Sequence, residues 1–338
     1  MVVPSLDEAE ALPALLADLA AQRSCDLQIV IADGGSRDAT TDIARAAGAQ
    51  VVVSAPGRGR QMNHGMAATT APWLCFLHAD SRLTHPYQLA HACARLAETG
   101  VDCAGHFPLR FDDTRAGRWL YRYMEAKSAS GRRRTINGDQ GLMISRSFFE
   151  RLGGFDERQP FLEDQRMAAA IDRHGRWRLF EHRLATSARR FEAEGPRARY
   201  LLMGLIMAMH LARVDSFFVR APGVYARQAD TRALSLMAYF RLLYALMRAC
   251  GPAASLRAAW RIAGVALEQS WQPFFALDTA LPAGWRSRGA FTWLHDRLVR
   301  PLITHSLGQA VVMAGLVFVI FGPLQLWCAL RETARVAR

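Results

Sequence analysis

Short apolar runs and amphipathic stretches alternate through the N-terminal quarter of the chain. Val2-Val3-Pro4 ends a short strand, with little chain before it. Residues 8–22 carry Leu12, Leu15, Leu16 and Leu19 at the spacing of one helix face. An apolar run over 27–32 stops at the turn cluster Asp33-Gly34-Gly35-Ser36. The pattern then predicts a helix over 37–47 closed by Gly48, a strand at Val51-Val52-Val53, a loop over 56–60 and a helix over 61–69. A fourth strand over 73–77 ends at His78-Ala79-Asp80. Strands alternating with helices predict an α/β fold: a Rossmann-like, mostly parallel sheet with helices on both faces. Such sheets bind ligands beyond the carboxyl ends of their strands. Asp33, Arg58, Arg60 and Asp80 all fall just past a strand end, so they are expected to converge.

Further along, residues 101–193 mix strands with polar loops, including Arg132-Arg133-Arg134 and the turn Gly153-Gly154-Phe155. The pattern then changes. Residues 200–212 are apolar apart from His210 but short for a bilayer span, and 233–247 are apolar with Arg241 inside. Trp260, Trp271, Trp285 and Trp293 are scattered among arginines. Residues 306–330 contain no charge and reach the ~20 residues a membrane-crossing helix needs. Gly322-Pro323 predicts a kink there, and Gln309 and Gln325 interrupt the apolar run. Three placements stay open: crossing a bilayer, lying in it as a re-entrant or interfacial helix, or burial in a soluble domain. Arginines flank both ends (Arg297 and Arg300; Arg331, Arg335 and Arg338), so charge gives no orientation.

Composition sharpens this picture. The net charge is +12, and Lys127 is the only lysine, so the positive charge is almost all arginine, whose planar fork suits phosphate. Nucleic acid, anionic lipid or a diphosphate substrate would each fit that balance, and arginine bias also follows genome composition. The six cysteines form no CxxC pair and no zinc-like Cys/His spacing. They predict a reducing compartment without a disulfide framework. No charged segment followed by an apolar stretch marks a signal peptide.

Several constellations could carry chemistry. Asp33, at a strand end before glycines, could accept hydrogen bonds from a base or ribose; it could equally serve a tight strand-to-helix turn, with Asp38 starting the helix. Asp80 could bind a divalent cation that also holds phosphate oxygens, or it could cap a helix. His78 could be a ligand or a buried, hydrogen-bonded histidine. In Gly57-Arg58-Gly59-Arg60-Gln61-Met62-Asn63, two arginines among glycines before a helix suit an anion, but neither a dinucleotide fingerprint nor a P-loop is present. Glu163-Asp164 opens a helical stretch over 165–174. The helix dipole alone favours carboxylates there, and one of them could be a general base for an acceptor hydroxyl. Gly138-Asp139-Gln140-Gly141 is a polar loop leading into an apolar strand, and Arg189-Arg190 could contact phosphate or simply be exposed.

Taken in order, these pieces resemble glycosyltransferase family 2, which has the GT-A fold. Val2-Val3-Pro4 through Glu8 is similar to the family's strand-Pro-x-x-Asn-Glu opening, with Asp7 in place of Asn. Asp33-Gly34-Gly35-Ser36 stands where the family has Asp-Asp-Gly-Ser, and His78-Ala79-Asp80 stands where it has Asp-x-Asp. Gly153-Gly154-Phe155 and Glu163-Asp164 complete the pattern. The strings GRGRQMN, LHAD, GDQG and TSARR look closest to a small bacterial subgroup labelled radical-SAM/selenodomain-associated. The resemblance implies a GT-A domain over 1–225, followed by a helical, membrane-associated extension over 226–338 with its candidate segment at 306–330.

The implied activity is a metal-dependent, inverting transfer of a sugar from a nucleotide-diphosphate donor, most often a UDP-sugar in this family. The acceptor would be a hydroxyl or phosphate, with lipid or lipid-linked acceptors among the candidates. Glu8 and Asp33 would hold the nucleoside, and Arg58 and Arg60 would lie near the phosphates. Pro4, Gly35, Asn63, Asp139 and Gln140 would complete the donor contacts. Asp80 would hold Mg2+ or Mn2+ through the diphosphate, and Asp164, with Glu163 beside it, would act as catalytic base. The single carboxylate left by His78 weakens the metal assignment without removing it. The implied setting is the cytoplasmic face of a bacterial inner membrane, membrane-associated or single-pass, on an anionic surface. The competing reading is a catalytically inactive GT-A-fold scaffold at the membrane. A nucleic-acid module lacks an RNA-recognition motif here, and a nucleotidylyltransferase lacks its Lys-containing glycine loop.

Overall fold

In a computed structural model, the chain is described at all positions except 101, 113, 115–117, 159–161, 227–233, 287 and 337–338. Residue 233, which opens the expected apolar stretch 233–247, and Arg338 lie outside the described residues. The chain divides into two compact units: Met1–Asp113 with Met124–Ala188, and Thr114–Tyr123 with Arg189–Arg338.

The first unit carries the strands β1 (Val2–Ser5), β2 (Val30–Asp33), β3 (Gln50–Val53), β4 (Trp73–Phe76), β5 (Ser81–Leu83), β6 (Cys103–His106), β7 (Leu109–Asp112), β8 (Leu142–Ser145), β9 (Arg176–Leu179) and β10 (Leu184–Ser187). Its helices are α1 (Leu12–Ala20), α2 (Thr40–Ala46), α3 (Arg58–Ala67) and α4 (Gln88–Ala97), then, after α5 (Arg118–Ser128), whose residues fall in both units, α6 (Arg146–Arg151) and α7 (Glu163–His174). Seven strands form one sheet in the order β3-β2-β1-β4-β8-β6-β9. It is mostly parallel, as the alternating pattern predicts; β8 runs antiparallel to both of its neighbours. A three-stranded sheet, β5-β10-β7, stands apart from it in the hydrogen-bonding pattern.

The central strands are buried on both faces, so they read as apolar runs rather than alternating ones. Their two-residue period still sorts the side chains. Val3, Ile31, Cys75 and Leu77 pack with the leucines of α1 and with Leu89, Ala92 and Leu96 of α4. Val2, Ala32, Leu74, Phe76 and Ile144 pack on the opposite side with Met62 of α3, Phe148 and Phe149 of α6, and Met167 and Ile171 of α7. Helices therefore cover both faces.

One predicted boundary is corrected. Residues 58–60 are the first turn of α3 rather than a loop, with Gly57 (φ 139°) entering the helix. This turn has no apolar period because its arginines point outward and Gly59 packs by lacking a side chain. A Cβ on Gly59 would stand 3.0 Å from the Asp156 carbonyl oxygen and 3.4 Å from Glu163 Cβ.

Deeper in the same helix, Gly65 meets the sheet. A Cβ there would fall 2.4 Å from Val2 Cγ1 and 3.2 Å from Ala32 Cβ. Alanine gains ~1 kcal/mol of helix propensity over glycine, whereas overpacking a close-packed core costs ~1–3 kcal/mol. The steric term wins here because the neighbour is a γ-methyl of β-branched Val2 on a fully buried strand. Gly65→Ala is therefore expected to lower unfolding stability by about 1–2 kcal/mol, read as a lower urea midpoint with an unchanged m-value.

Among the described residues the second unit is helical: α8 (Arg189–Glu194), α9 (Pro196–Leu211), α10 (Asp215–Ala226), α11 (Met237–Glu268), α12 (Trp271–Ala280), α13 (Ala283–Arg286), α14 (Ala290–Leu294), α15 (Arg300–Ile303), α16 (Ser306–Val319) and α17 (Gln325–Val336). Buried Asp278 fixes the start of α14, accepting the Phe291 and Thr292 N–H groups at 3.0 and 2.8 Å. The stretch Ser306–Thr333 is long and apolar enough to cross a membrane, with mean hydropathy 2.1 and only 6% of its most apolar window buried. It bends at Gly322 and Pro323, as expected. The two glutamines that interrupt its apolar run have partners on α11: Gln309 Nε2 donates to the Trp260 carbonyl oxygen at 2.9 Å, and the Tyr244 hydroxyl donates to Gln325 Oε1 at 2.8 Å.

Candidate active site

The loops at the carboxyl ends of β1 and β2 are laced together. Asp33, at the last position of β2, is buried, and its Oδ2 accepts the N–H groups of Gly35 (2.8 Å) and Ser36 (3.0 Å) while Oδ1 accepts the Ser36 hydroxyl. Pro4 lies beside it in the ladder, opposite Ala32. Glu8 donates its N–H to Thr40 Oγ1 at 2.8 Å, and Arg37 N–H reaches Asp7 Oδ1 at 2.8 Å. Gly35 takes φ 92°, a conformation that glycine tolerates and that lets its N–H turn back onto Asp33. Pro4, Glu8, Asp33 and Gly35 thus share one edge. Asp33 holds the strand-to-helix turn through three hydrogen bonds, and Asp38 Oδ1 accepts the Thr40 N–H at 3.0 Å where α2 begins.

A second group forms beyond β4. His78 Nδ1 lies 3.0 Å from Asp139 Oδ1. Asp164 Oδ2 accepts the Gly138 N–H at 2.7 Å and the Gln165 side-chain amide at 3.1 Å. A Cβ on Gly138 would stand 3.2 Å from His78 Nε2 and 3.5 Å from Asp164 Cβ, so the backbone runs close between them. His78, Gly138, Glu163 and Asp164 line one pocket, with Phe76, Phe155 and Trp177 among its apolar walls. Asp164 Oδ1 makes no hydrogen bond among the described residues. Glu163 is 5% exposed, and its carboxyl pKa is raised, first by burial and then by the neighbouring Asp164 charge; Arg58 and His78 pull the other way.

Helix α3 joins the two groups. Gln61 Nε2 donates to the Ser5 and Ala32 carbonyl oxygens, both at 2.8 Å, on the β1/β2 side. On the other side Gly59 abuts Glu163. The first turn of α3 carries Arg58 and Arg60, the latter 3.5 Å from Glu157, and so brings two cations to a helix N-terminus that touches both edges. Asn63 points elsewhere: its amide clamps the Phe155 backbone, with both bonds at 2.9 Å, and holds the Gly153-Gly154 turn in place. Gln140 is buried and donates to the Thr135 carbonyl oxygen at 2.6 Å. Neither amide lines the pocket.

Asp80 follows β4 by four residues. It is half-buried, and its carboxylate has no hydrogen bond or ion pair among the described residues. A single free carboxylate oxygen set at a strand end suits a hard divalent cation that takes its remaining ligands from water and phosphate. His78 is engaged with Asp139 instead. The residues present therefore fit Mg2+ or Mn2+ through Asp80.

Residues 1–156 match the family model described as glycosyl transferase family 2. That stretch is thus similar to family 2 glycosyltransferases over a little under half of the chain. The match takes in the β1/β2 edge, α3, Asp80 and the Gly138 turn, and it stops short of Glu163 and Asp164. Among curated relatives, a PGL/p-HBAD biosynthesis glycosyltransferase of Mycobacterium bovis is 35% identical over 112 residues, covering 29% of this chain and 41% of the relative. An uncharacterised glycosyltransferase of Mycobacterium bovis is 37% identical over 84 residues, covering 25% and 37%. The chain thus spans about two fifths of the length of the curated relatives it matches. Among solved structures, residues 1–349 of TarS from S. aureus align over 90% of this chain and 92% of that chain, with 13% identity and a TM-score of 0.47. Glucosyl-3-phosphoglycerate synthase of Mycobacterium tuberculosis aligns over 55% of this chain and 68% of that chain, with 19% identity and a TM-score of 0.39.

Sequence pattern alone missed two residues of the candidate site. Gly138 and Gln165 hold Asp164, the first through a backbone N–H that leaves no side-chain signal. The Gly138-to-Gly141 string marked the loop but not which atom of it acts.

Proposed function

We propose that the chain transfers a sugar from a nucleotide-diphosphate donor, a UDP-sugar by family resemblance, to a hydroxyl or phosphate acceptor with inversion. The observation that carries this reading is Asp164: Oδ2 is fixed by Gly138 and Gln165, while Oδ1 is left open on a pocket beyond β4. In the step, Oδ1 takes the acceptor proton as the acceptor oxygen bonds to the anomeric carbon. The bond from that carbon to the diphosphate oxygen breaks, and the electron pair leaves with the nucleoside diphosphate. Arg58 and Arg60 on the first turn of α3 offset the charge that develops there. A divalent cation held by Asp80 and the phosphate oxygens would supply further neutralisation of the leaving group. Pro4, Glu8, Asp33 and Gly35 form the nucleoside edge, and Glu163 adds a negative field beside the base. The strings GRGRQMN, LHAD, GDQG and TSARR support, on this reading, kinship with the bacterial radical-SAM/selenodomain-associated subgroup.

Calorimetric titration of the full chain with UDP, GDP and their sugars, with and without Mn2+, tests the donor site. Metal-dependent binding of one base over the other is the expected result. No nucleotide binding in either condition would favour the inactive-scaffold reading, to which the His78 departure lends its one support.

The exposed apolar stretch Ser306–Thr333, with Trp285 and Trp293 also exposed, supports a location at the cytoplasmic face of a bacterial inner membrane and a lipid or lipid-linked acceptor. The full chain is expected to float with anionic vesicles. Recovery in the soluble fraction without detergent would remove the basis for the membrane placement and for the lipid acceptor together.

A further inference from the structure

Two histidines six residues apart meet a third, about ninety positions further along the chain, on the first unit. In the antiparallel pairing of β5 with β10, Leu83 stands opposite Leu184. Two residues further out on each chain, the register sets His85 opposite His182, and their rings stack with centroids 4.1 Å apart and planes 9° from parallel. His91, in the first turn of α4, closes the group with Nδ1 2.8 Å from His182 Nε2. One ligand nitrogen from each ring lies within 4.8 Å of the other two.

We propose that His85, His91 and His182 bind a divalent transition-metal cation of the Zn2+ class, tying the β5–α4 turn to the β9–β10 loop. The donor set is all imidazole nitrogen, which suits Zn2+, Cu2+ or Ni2+ and disfavours the oxygen-seeking Mg2+ and Mn2+. Three histidines leave a fourth position of a tetrahedral site to water. His91 is exposed and the other two are half-buried, so an ion can enter from solvent.

The backbone that carries the rings is already fixed. Thr84 Oγ1 and Gln88 Nε2 both donate to the Arg183 carbonyl oxygen, at 2.8 and 3.2 Å, which holds the His182 loop against the His85 turn. Gln22 bridges the His85 carbonyl oxygen (3.0 Å) and the Leu89 N–H (3.1 Å), which holds that turn against α4. Only side-chain rotation is then needed. Zn–N bonds of ~2.0–2.1 Å in a tetrahedron set nitrogens ~3.3–3.4 Å apart, so the His91–His182 contact opens slightly and the stacked pair tilts out of parallel. His85 gives up a long hydrogen bond in doing so, since its Nδ1 accepts the Tyr87 N–H at 3.2 Å. The site is independent of the glycosyl-transfer reading and lies on different residues from Asp80.

Titration of the metal-free, untagged full chain with Co2+ tests this. The expected result is one equivalent bound with the absorption bands of four-coordinate Co2+, displaced by Zn2+ and unaffected by excess Mg2+. His91→Ala and His182→Ala each weaken binding by more than the ~10–100-fold that loss of a supporting partner costs, with circular dichroism unchanged. The exposed His64→Ala and Asp80→Ala leave the bands as they are. Absence of the bands in the parent chain, or their survival in the His91→Ala/His182→Ala double variant, overturns the proposal.

Discussion

Asp164→Asn is expected to lower the turnover of sugar transfer by ~10²–10⁴-fold, the range that a positioned general base contributes. The affinity for the nucleotide and the melting temperature should change little. Asparagine keeps an oxygen that can accept the Gly138 N–H, so the turn that now donates at 2.7 Å retains its acceptor. What the substitution removes is the basicity of the open Oδ1. The measurement is release of nucleoside diphosphate from the preferred donor, with a bacterial lipid extract as acceptor source, beside nucleotide titration of the same sample. A fall in turnover with unchanged donor affinity assigns the base, because a structural role would move both. Turnover within twofold of the parent chain would take Asp164 out of the chemistry and leave buried Glu163 as the carboxylate to test. Glu163 is less suited to that role. Its carboxyl pKa is raised mainly by burial, and it packs against the first turn of α3 instead of offering an anchored, open oxygen.

Much of the frame around that carboxylate was legible in the sequence, for identifiable reasons. The strands now seen as β1, β2 and β4 are buried on both faces, so each reads as an apolar run, and the polar residues that stop the runs, Asp33 and Asp80, mark the carboxyl edge of the sheet. The first turn of α3 was not legible, because its arginines face outward and Gly59 contributes to packing by what it lacks. The three-stranded sheet escaped as well: strands of three or four residues give too little pattern, and the pairing of β5 with β10 spans about a hundred positions. The same distance hid the histidine cluster, because His182 joins His85 and His91 only through that register. Side-chain amides were the hardest to read. Asn63, Gln140, Gln309 and Gln325 look alike in sequence as polar interruptions, yet each is directed to a particular backbone or hydroxyl partner that only the folded chain supplies.

The contrast between the two aspartates at the strand ends decides which one can test metal dependence. Asp33 is buried and holds its turn with three hydrogen bonds, so its removal would release the strand-to-helix turn and disturb the fold as well as any ligand contact. Asp80 has no partner among the described residues and is half-buried, so Asp80→Ala should change stability by no more than ~0.5 kcal/mol. Its effect on binding then has one source. Asp80→Ala is expected to weaken Mn2+-dependent nucleotide binding at least ~10-fold, a loss of ~1.4 kcal/mol. The weaker binding measured without Mn2+ should stay where it was, because the arginines of α3 and the β1/β2 edge remain. The diagnostic quantity is thus the ratio of affinities with and without Mn2+, which should fall towards one in the variant. An unchanged ratio would move the cation away from β4. A ratio near one already in the parent chain would instead leave the diphosphate to the arginines alone, since His78 is committed to Asp139, and metal-free transfer should then be observed in the same assay.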